Sequence, residues 1–210
     1  MANEKKTAAV YETLENVTFA YAKIAESDFK YGSQVDKEFS IDCIVDKATA
    51  KKFKKQFPKQ SVKEFDNDEF EQKYKIAPPF ADQDEQYVIK LKKPHIKNGK
   101  EMPYRPKAFI YAEDGKTLID ISVSKLASNG SKGKVRYRVT TNDFGTFSQL
   151  DSVLFEHFIE YKKEGNSGSP FGIPVAKVEE ENKAATQARA SAAPKQEAVA
   201  DEEEDDSVPF

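Results

Sequence analysis

The sequence predicts an all-β domain, a small barrel with one helical insertion, followed by an acidic C-terminal tail. Three observations carry this. Apolar residues recur with a period of two in six or seven short segments between residues 17 and 161, which is the pattern of half-buried strands. Fifteen Phe and nine Tyr supply the burial a β core needs. And the charge is split: from Glu179 to Phe210 there are ten acidic and three basic residues, net −7, leaving 26 acidic and 30 basic, net +4, in residues 1–178. The overall net charge of −3 therefore averages a mildly basic body with an acidic tail.

Met1–Thr7 is polar, and residues 1–15 read as a flexible N-terminus. The body spans 16–163. Val17, Phe19 and Tyr21 alternate with Thr18, Ala20 and Ala22 in a first strand, and Phe39, Ile41, Cys43 and Val45 alternate with Ser40, Asp42 and Ile44 in a second. A helical insertion at about 46–75 follows. Asp46 is placed to cap a helix that Pro58 stops near Phe57, and Ser61-Val62-Lys63-Glu64 has the form of a capping box opening a second helix to about Tyr74.

Strands resume at Tyr87, Ile89 and Leu91, at Ala108–Ala112, and at Leu118–Val123 after an Asp114-Gly115 turn. Lys134–Thr140 is another, and Thr146–Tyr161, ambiguous between helix and strand, is assigned as the last strand on Phe147, Val153 and Phe155. A partly open barrel whose long connections cross its ends fits this order, and an OB-fold is the leading architecture. Residues 164–200, poor in aromatics and rich in Gly, Ser, Ala, Gln and Lys, read as a flexible linker to an acidic tip at 201–210.

The most informative body segment is Lys132-Gly133-Lys134-Val135-Arg136-Tyr137-Arg138. In a strand, Lys134, Arg136 and Arg138 share one face, a cationic stripe about 13 Å long, while Val135 and Tyr137 face the other way. Like charges in a row repel one another and favour an anionic partner, although a solvated outer sheet face has the same appearance. Lys90, Lys92 and Lys93 leave the earlier strand toward a Gly99 turn, followed by Tyr104-Arg105 and then by Phe109 and Tyr111 at alternate positions. Cations interleaved with aromatics are what a sequence-tolerant single-strand site requires, because cations neutralise phosphates and rings stack on any base. Phe109 and Tyr111 read equally well as core.

Catalytic chemistry finds little support. The two histidines, His95 and His157, lack neighbours at metal-ligand spacing, Gly130-Ser131-Lys132-Gly133 lacks the spacing of a phosphate loop, and no nucleophile–base group stands out. No metal and no cofactor is expected, and the chain is read as a non-enzyme. One cysteine excludes an internal disulfide, and neither a signal peptide nor an apolar run of about 18 residues is present, so a cytoplasmic location with no membrane contact is expected.

At the end of the chain, Asp201, Glu202, Glu203, Glu204, Asp205 and Asp206 precede Ser207-Val208-Pro209-Phe210. An acidic run explains solubility but leaves a terminal Phe unaccounted for. A basic-rimmed apolar pocket on a partner would take the ring and pair with the terminal carboxylate.

That tip resembles the C-terminus of bacterial single-stranded DNA-binding proteins, an acidic stretch ending in Pro-Phe. The body, with its Gly133-Lys134 approach to a basic strand and a final strand reading Gln149-Leu150-Asp151-Ser152-Val153, is similar to phage single-stranded DNA-binding proteins of the podovirus replication type. The resemblance implies an OB-fold with a helical insertion, coating of single-stranded DNA during replication, recombination and repair, and recruitment of polymerase or helicase-primase through the tail. It assigns Lys132, Lys134, Arg136 and Arg138 to the DNA groove, and Asp201–Asp206 with Pro209 and Phe210 to partner docking. It implies the bacterial host's cytoplasm for a phage-encoded chain. Self-association, a duplex-binding annealing or mediator role, and an adaptor that binds no DNA remain open alternatives.

Overall fold

The computed structural model describes residues 9–161. Nine strands and two helices follow the order β1 (Val10–Phe29), β2 (Lys37–Val45), α1 (Lys47–Gln56), β3 (Val62–Asp66), α2 (Asn67–Tyr74), β4 (Glu85–Lys97), β5 (Lys100–Glu101), β6 (Lys107–Tyr111), β7 (Leu118–Asp120), β8 (Lys132–Asn142) and β9 (Gly145–His157). The linker expected at 164–200 and the tip at 201–210 lie outside the described residues.

β1 is the central strand. It pairs antiparallel with β2 on one side and β8 on the other; β2 continues to β4, and β8 to β9. β6 then joins β9 in parallel, giving the path β3-β4-β2-β1-β8-β9-β6-β7, with β5 hairpinned onto β4. A strongly coiled first strand shared by two meanders, with one parallel step near closure, is the connectivity of a partly open OB barrel. This is the all-β fold with a helical insertion that the sequence predicts.

Residues from both meanders fill the interior: Val17, Phe19, Ile41, Cys43, Ile89, Leu91, Val135, Leu150, Val153 and Phe155 are all almost wholly buried. α1 feeds Ala50, Phe53 and Phe57 into this core, where both rings meet Tyr137 edge-on with centroids 5.9 and 5.8 Å away. Asp46 caps α1 as expected, accepting from the Thr49 amide at 2.9 Å and the Thr49 hydroxyl at 2.7 Å. A second, smaller core lies on the opposite face of the sheet, where Phe70 and Tyr74 of α2 cover Ala20, Ile44 and Val88. That is why strands β1, β2 and β4 are buried on both faces at this level.

Three expectations need correction. β1 starts at Val10, so residues 10–15 of the segment read as a flexible N-terminus are strand: Val10–Leu14 pair with Val139–Val135. Their side chains do not alternate apolar and polar, and the strand is set by its ladder with β8. Val62–Asp66 is strand β3 on the edge of β4, not the start of a helix; α2 begins only after Asp66, whose carboxylate accepts from the Glu69 amide at 2.7 Å. The Ser61-x-x-Glu64 pattern yields to edge pairing, and Asp66-x-x-Glu69 is the real cap. Third, the alternation of Val17, Phe19 and Tyr21 breaks at Tyr21, which has φ +46° at a bulge between the Ala20 and Lys23 pairings and so points outward instead of into the barrel.

Elsewhere boundaries move slightly. β7 ends at Asp120 rather than Val123, and β9 confirms the strand assignment of the ambiguous segment as far as His157. At Gly133 a Cβ would fall inside the Leu154 carbonyl oxygen, so glycine is what lets β8 and β9 approach closely where the register shifts.

Candidate nucleic-acid interface

β8 presents its side chains as the period of two requires: Val135 and Tyr137 are buried, and Lys132, Arg136 and Arg138 are exposed with Lys134 half-exposed. The stripe is less bare than the sequence suggests. Lys134 lies 2.8 Å from Glu15 and 3.5 Å from Glu156, and the Glu15 interaction raises its pKa. Arg136 is held by Asp151 at 2.7 Å and lies over the Tyr11 ring, 5.0 Å from its centroid. Among the described residues no carboxylate pairs with Lys132 or Arg138. Facing acids on β1 and β9 therefore relieve two cations of the stripe.

Arg136 and Arg138 open onto a cleft of about 790 Å³ over β8, β9 and β6. Lys93 and Pro94, from the end of β4, and Met102–Arg105 form one wall; Lys107 and Phe109 of β6 line it, and Tyr11 of β1 closes the far side. Five cations (Lys93, Arg105, Lys107, Arg136 and Arg138) and three rings (Tyr11, Tyr104 and Phe109) share this surface with one carboxylate, Asp151. Tyr104 is 73% exposed and Tyr11 47% exposed, while Phe109 is half-buried.

The strand phases explain who enters. Tyr87, Ile89 and Leu91 point into the barrel, and Lys93 continues the same face to its mouth. Burial pulls the Lys93 pKa below the ordinary lysine value; Asp151 opposes that shift and Arg138 adds to it. Lys90 and Lys92 alternate to the other face, where Lys90 lies 3.6 Å from Asp42 and Lys92 2.6 Å from Glu38. Neither lines the cleft, although Lys92 borders a smaller depression beside Arg138 and Phe147. On β6, Lys107, Phe109 and Tyr111 share the outer face, but Tyr111 lies beyond the cleft. Lys132 and Lys134 also lie outside it.

Arg105 lines the cleft and is also tied into the fold. Its guanidinium donates to the backbone carbonyls of Ile24 at 3.0 Å and Ala25 at 2.7 Å, and packs 5.2 Å from the centroid of buried Phe39. It pins the wall that carries Tyr104 to β1.

Of the body residues singled out from sequence, the cleft thus unites Lys93, Tyr104, Arg105, Phe109, Arg136 and Arg138. It adds Tyr11, Lys107 and Asp151, which sequence reading missed. The docking residues Asp201–Asp206, Pro209 and Phe210 lie outside the described residues. Among the described residues no cluster of three or more His, Cys, Asp or Glu side chains has metal-binding geometry, and no helix is long and apolar enough to cross a membrane.

No family model matches the chain, and no curated protein matches it in sequence. Among solved structures it is similar to gp2.5, a single-stranded DNA binding protein encoded by bacteriophage T7, at 18% identity and a TM-score of 0.44, covering 76% of this chain and 98% of that one. It is also similar to the single-stranded DNA-binding protein from bacteriophage Enc34. The C-terminally truncated form of that protein matches at 16% identity and a TM-score of 0.39, covering 71% of this chain and 87% of that one. Its complex with single-stranded DNA matches at 16% identity and a TM-score of 0.34, covering 71% and 88%.

Proposed function

We propose that the chain binds single-stranded DNA without sequence preference along the Arg136–Arg138 cleft and coats it during DNA replication, recombination and repair. One observation carries the reading: cations and exposed rings from β1, β4, β6, β8 and the 102–105 wall converge on a single open surface. Cations alone would suit any polyanion. Rings at the solvent boundary add stacking faces, each worth about 1–3 kcal/mol per base, and a duplex keeps its base faces stacked inside.

Fluorescence titration with oligo-dT at increasing salt tests this. Neutralising four or five phosphates gives a log–log salt slope of about −3 for a single strand. Crosslinks to oligo-dT fall on Tyr11, Tyr104 and Phe109. Salt-independent or absent binding sinks the reading in favour of an adaptor, and equal competition by duplex DNA favours an annealing or mediator protein.

The C-terminal tip, Asp201–Phe210, is assigned to docking of replication proteins such as polymerase or helicase-primase, on its sequence alone. Deleting Pro209 and Phe210 abolishes that docking while oligo-dT binding survives; loss of both together contradicts the assignment.

A further inference from the structure

At one end of the barrel two hairpin tips stand together: the β1–β2 turn, residues 30–36, and the β4–β5 turn at Asn98-Gly99. The Asn98 amide donates to the Asp36 carboxylate at 2.8 Å, tying one tip to the other. Both turns are tightly built. Ser33 Oγ accepts from the amides of Val35 and Asp36, Lys30 N donates to Asp36 O at 2.9 Å, and Asn98 and Gly99 both adopt the left-handed conformation of a two-residue hairpin turn.

This end carries apolar surface it does not bury. Tyr31 is 99% exposed, and Phe29 and Val35 are more than half exposed. The tips also carry four lysines, Lys30, Lys37, Lys97 and Lys100, with no carboxylate partner among the described residues. The nearby acids are engaged elsewhere: Asp28 with Lys23, Asp36 with Asn98, Glu38 with Lys92 and Glu101 with His95. Lys37 lies over the Phe29 ring, 4.9 Å from its centroid. A free ring beside unpaired cations does nothing for folding, because an unburied ring contributes no transfer free energy.

The patch is continuous with the cleft. Pro94 and Met102, which line the cleft wall, belong to the β4–β5 hairpin, and Met102 N donates to His95 O at 2.7 Å. Lys97 lies three residues past Pro94, about 10 Å along the strand. A strand of DNA leaving the cleft at Met102 therefore reaches the tips along the β4–β5 hairpin, passing the exposed Glu101 carboxylate beside His95.

We infer that the paired tips are a second contact for the same single strand of DNA, with Tyr31 stacking on a base and the four lysines neutralising its phosphates. The inference rests on the cleft being a single-stranded DNA site. It predicts that affinity depends on oligonucleotide length through the tips alone.

Full-length chain is titrated with oligo-dT of about 5 and about 16 nucleotides, lengths that bracket single-barrel sites. Tyr31→Ala and a quadruple Lys→Gln variant at positions 30, 37, 97 and 100 are compared with wild type, their folding checked by thermal melting. The short probe binds all three proteins alike. With the long probe, Tyr31→Ala binds about tenfold more weakly, and the quadruple variant loses up to about 3 units of log–log salt slope. Unchanged binding of the long probe overturns the inference, and is the result expected if the tips serve a protein partner. Equal losses on both probes overturn it as well. Wild-type chain that binds neither probe refutes the cleft itself, an outcome distinct from failure of the tips alone.

Discussion

The Arg136 guanidinium and the Asp151 carboxylate meet at 2.7 Å inside the cleft, so a carboxylate already occupies the place a phosphate would take. Asp151 can do this because the β8–β9 register shifts between Arg136 and Tyr137: Arg136 pairs with Ser152 and Tyr137 with Leu150, leaving Asp151 unpaired in the ladder. A phosphate must displace it, which sets a brake on affinity. Asp151→Asn removes the competing charge and keeps the shape. It raises oligo-dT affinity about two- to fivefold, the range of a partly exposed ion pair, in a fluorescence titration. Weaker binding by this variant shows instead that Asp151 orients Arg136 productively.

Tyr104 and Tyr11 flank the cleft with exposed rings, and their truncation separates binding from folding. Tyr104→Ala and Tyr11→Ala each cost about 1–3 kcal/mol of oligo-dT affinity, the value of one stacked base, while the melting temperature changes little for Tyr104, which is 73% exposed. Isothermal titration beside thermal melting reads both quantities. Binding that tolerates both changes removes the rings from the mechanism and leaves a purely electrostatic groove.

Much of this site is legible in sequence, and the exceptions share a cause. The phase of β8 follows from local alternation, so the exposure of Arg136 and Arg138 on one face of the strand is legible. Lys90, Lys92 and Lys93 form one basic run in sequence, yet only Lys93 continues the inward face of Tyr87, Ile89 and Leu91 to the barrel mouth; counting by two along β4 separates them. Tyr11 is invisible locally because Val10–Leu14 becomes a strand through a ladder with residues more than a hundred positions away. The partners of Lys134 and Arg136 are likewise unreadable, since Glu15, Glu156 and Asp151 are brought there by pairing. Period and phase are local properties, whereas edge pairing, bulges and ion-pair partners are tertiary.

Arg105 braces the wall that carries Tyr104, which gives it a distinct signature. Its hydrogen bonds to Ile24 and Ala25 carbonyls and its packing on Phe39 use the flat guanidinium, and a lysine cannot reproduce both. Arg105→Lys and Arg105→Ala therefore both destabilise the fold, the alanine by about 2 kcal/mol, typical of hydrogen bonds from a charged group. Both weaken oligo-dT binding by releasing Tyr104. Chemical denaturation together with titration checks this; a lysine variant with wild-type stability and affinity makes Arg105 an ordinary phosphate-binding cation.

Lys93 gives the interface a pH dependence of predictable sign. Its ammonium is partly buried beside Arg138, and burial first, then that neighbour, favours loss of the proton, against the pull of Asp151. The protonated fraction therefore falls at a pH below the ordinary lysine value of 10.5. Because a deprotonated Lys93 neutralises no phosphate, oligo-dT affinity declines as the pH rises through the lowered Lys93 value. For folding, the native state binds this proton less tightly than the unfolded chain does. The Lys93 contribution to stability therefore increases with pH across the interval from the lowered value to the ordinary one. Lys93→Arg, with a charge that persists throughout, flattens the affinity profile. Titrations at several pH values on both proteins decide it: parallel declines in wild type and Lys93→Arg exclude Lys93 as the titrating group.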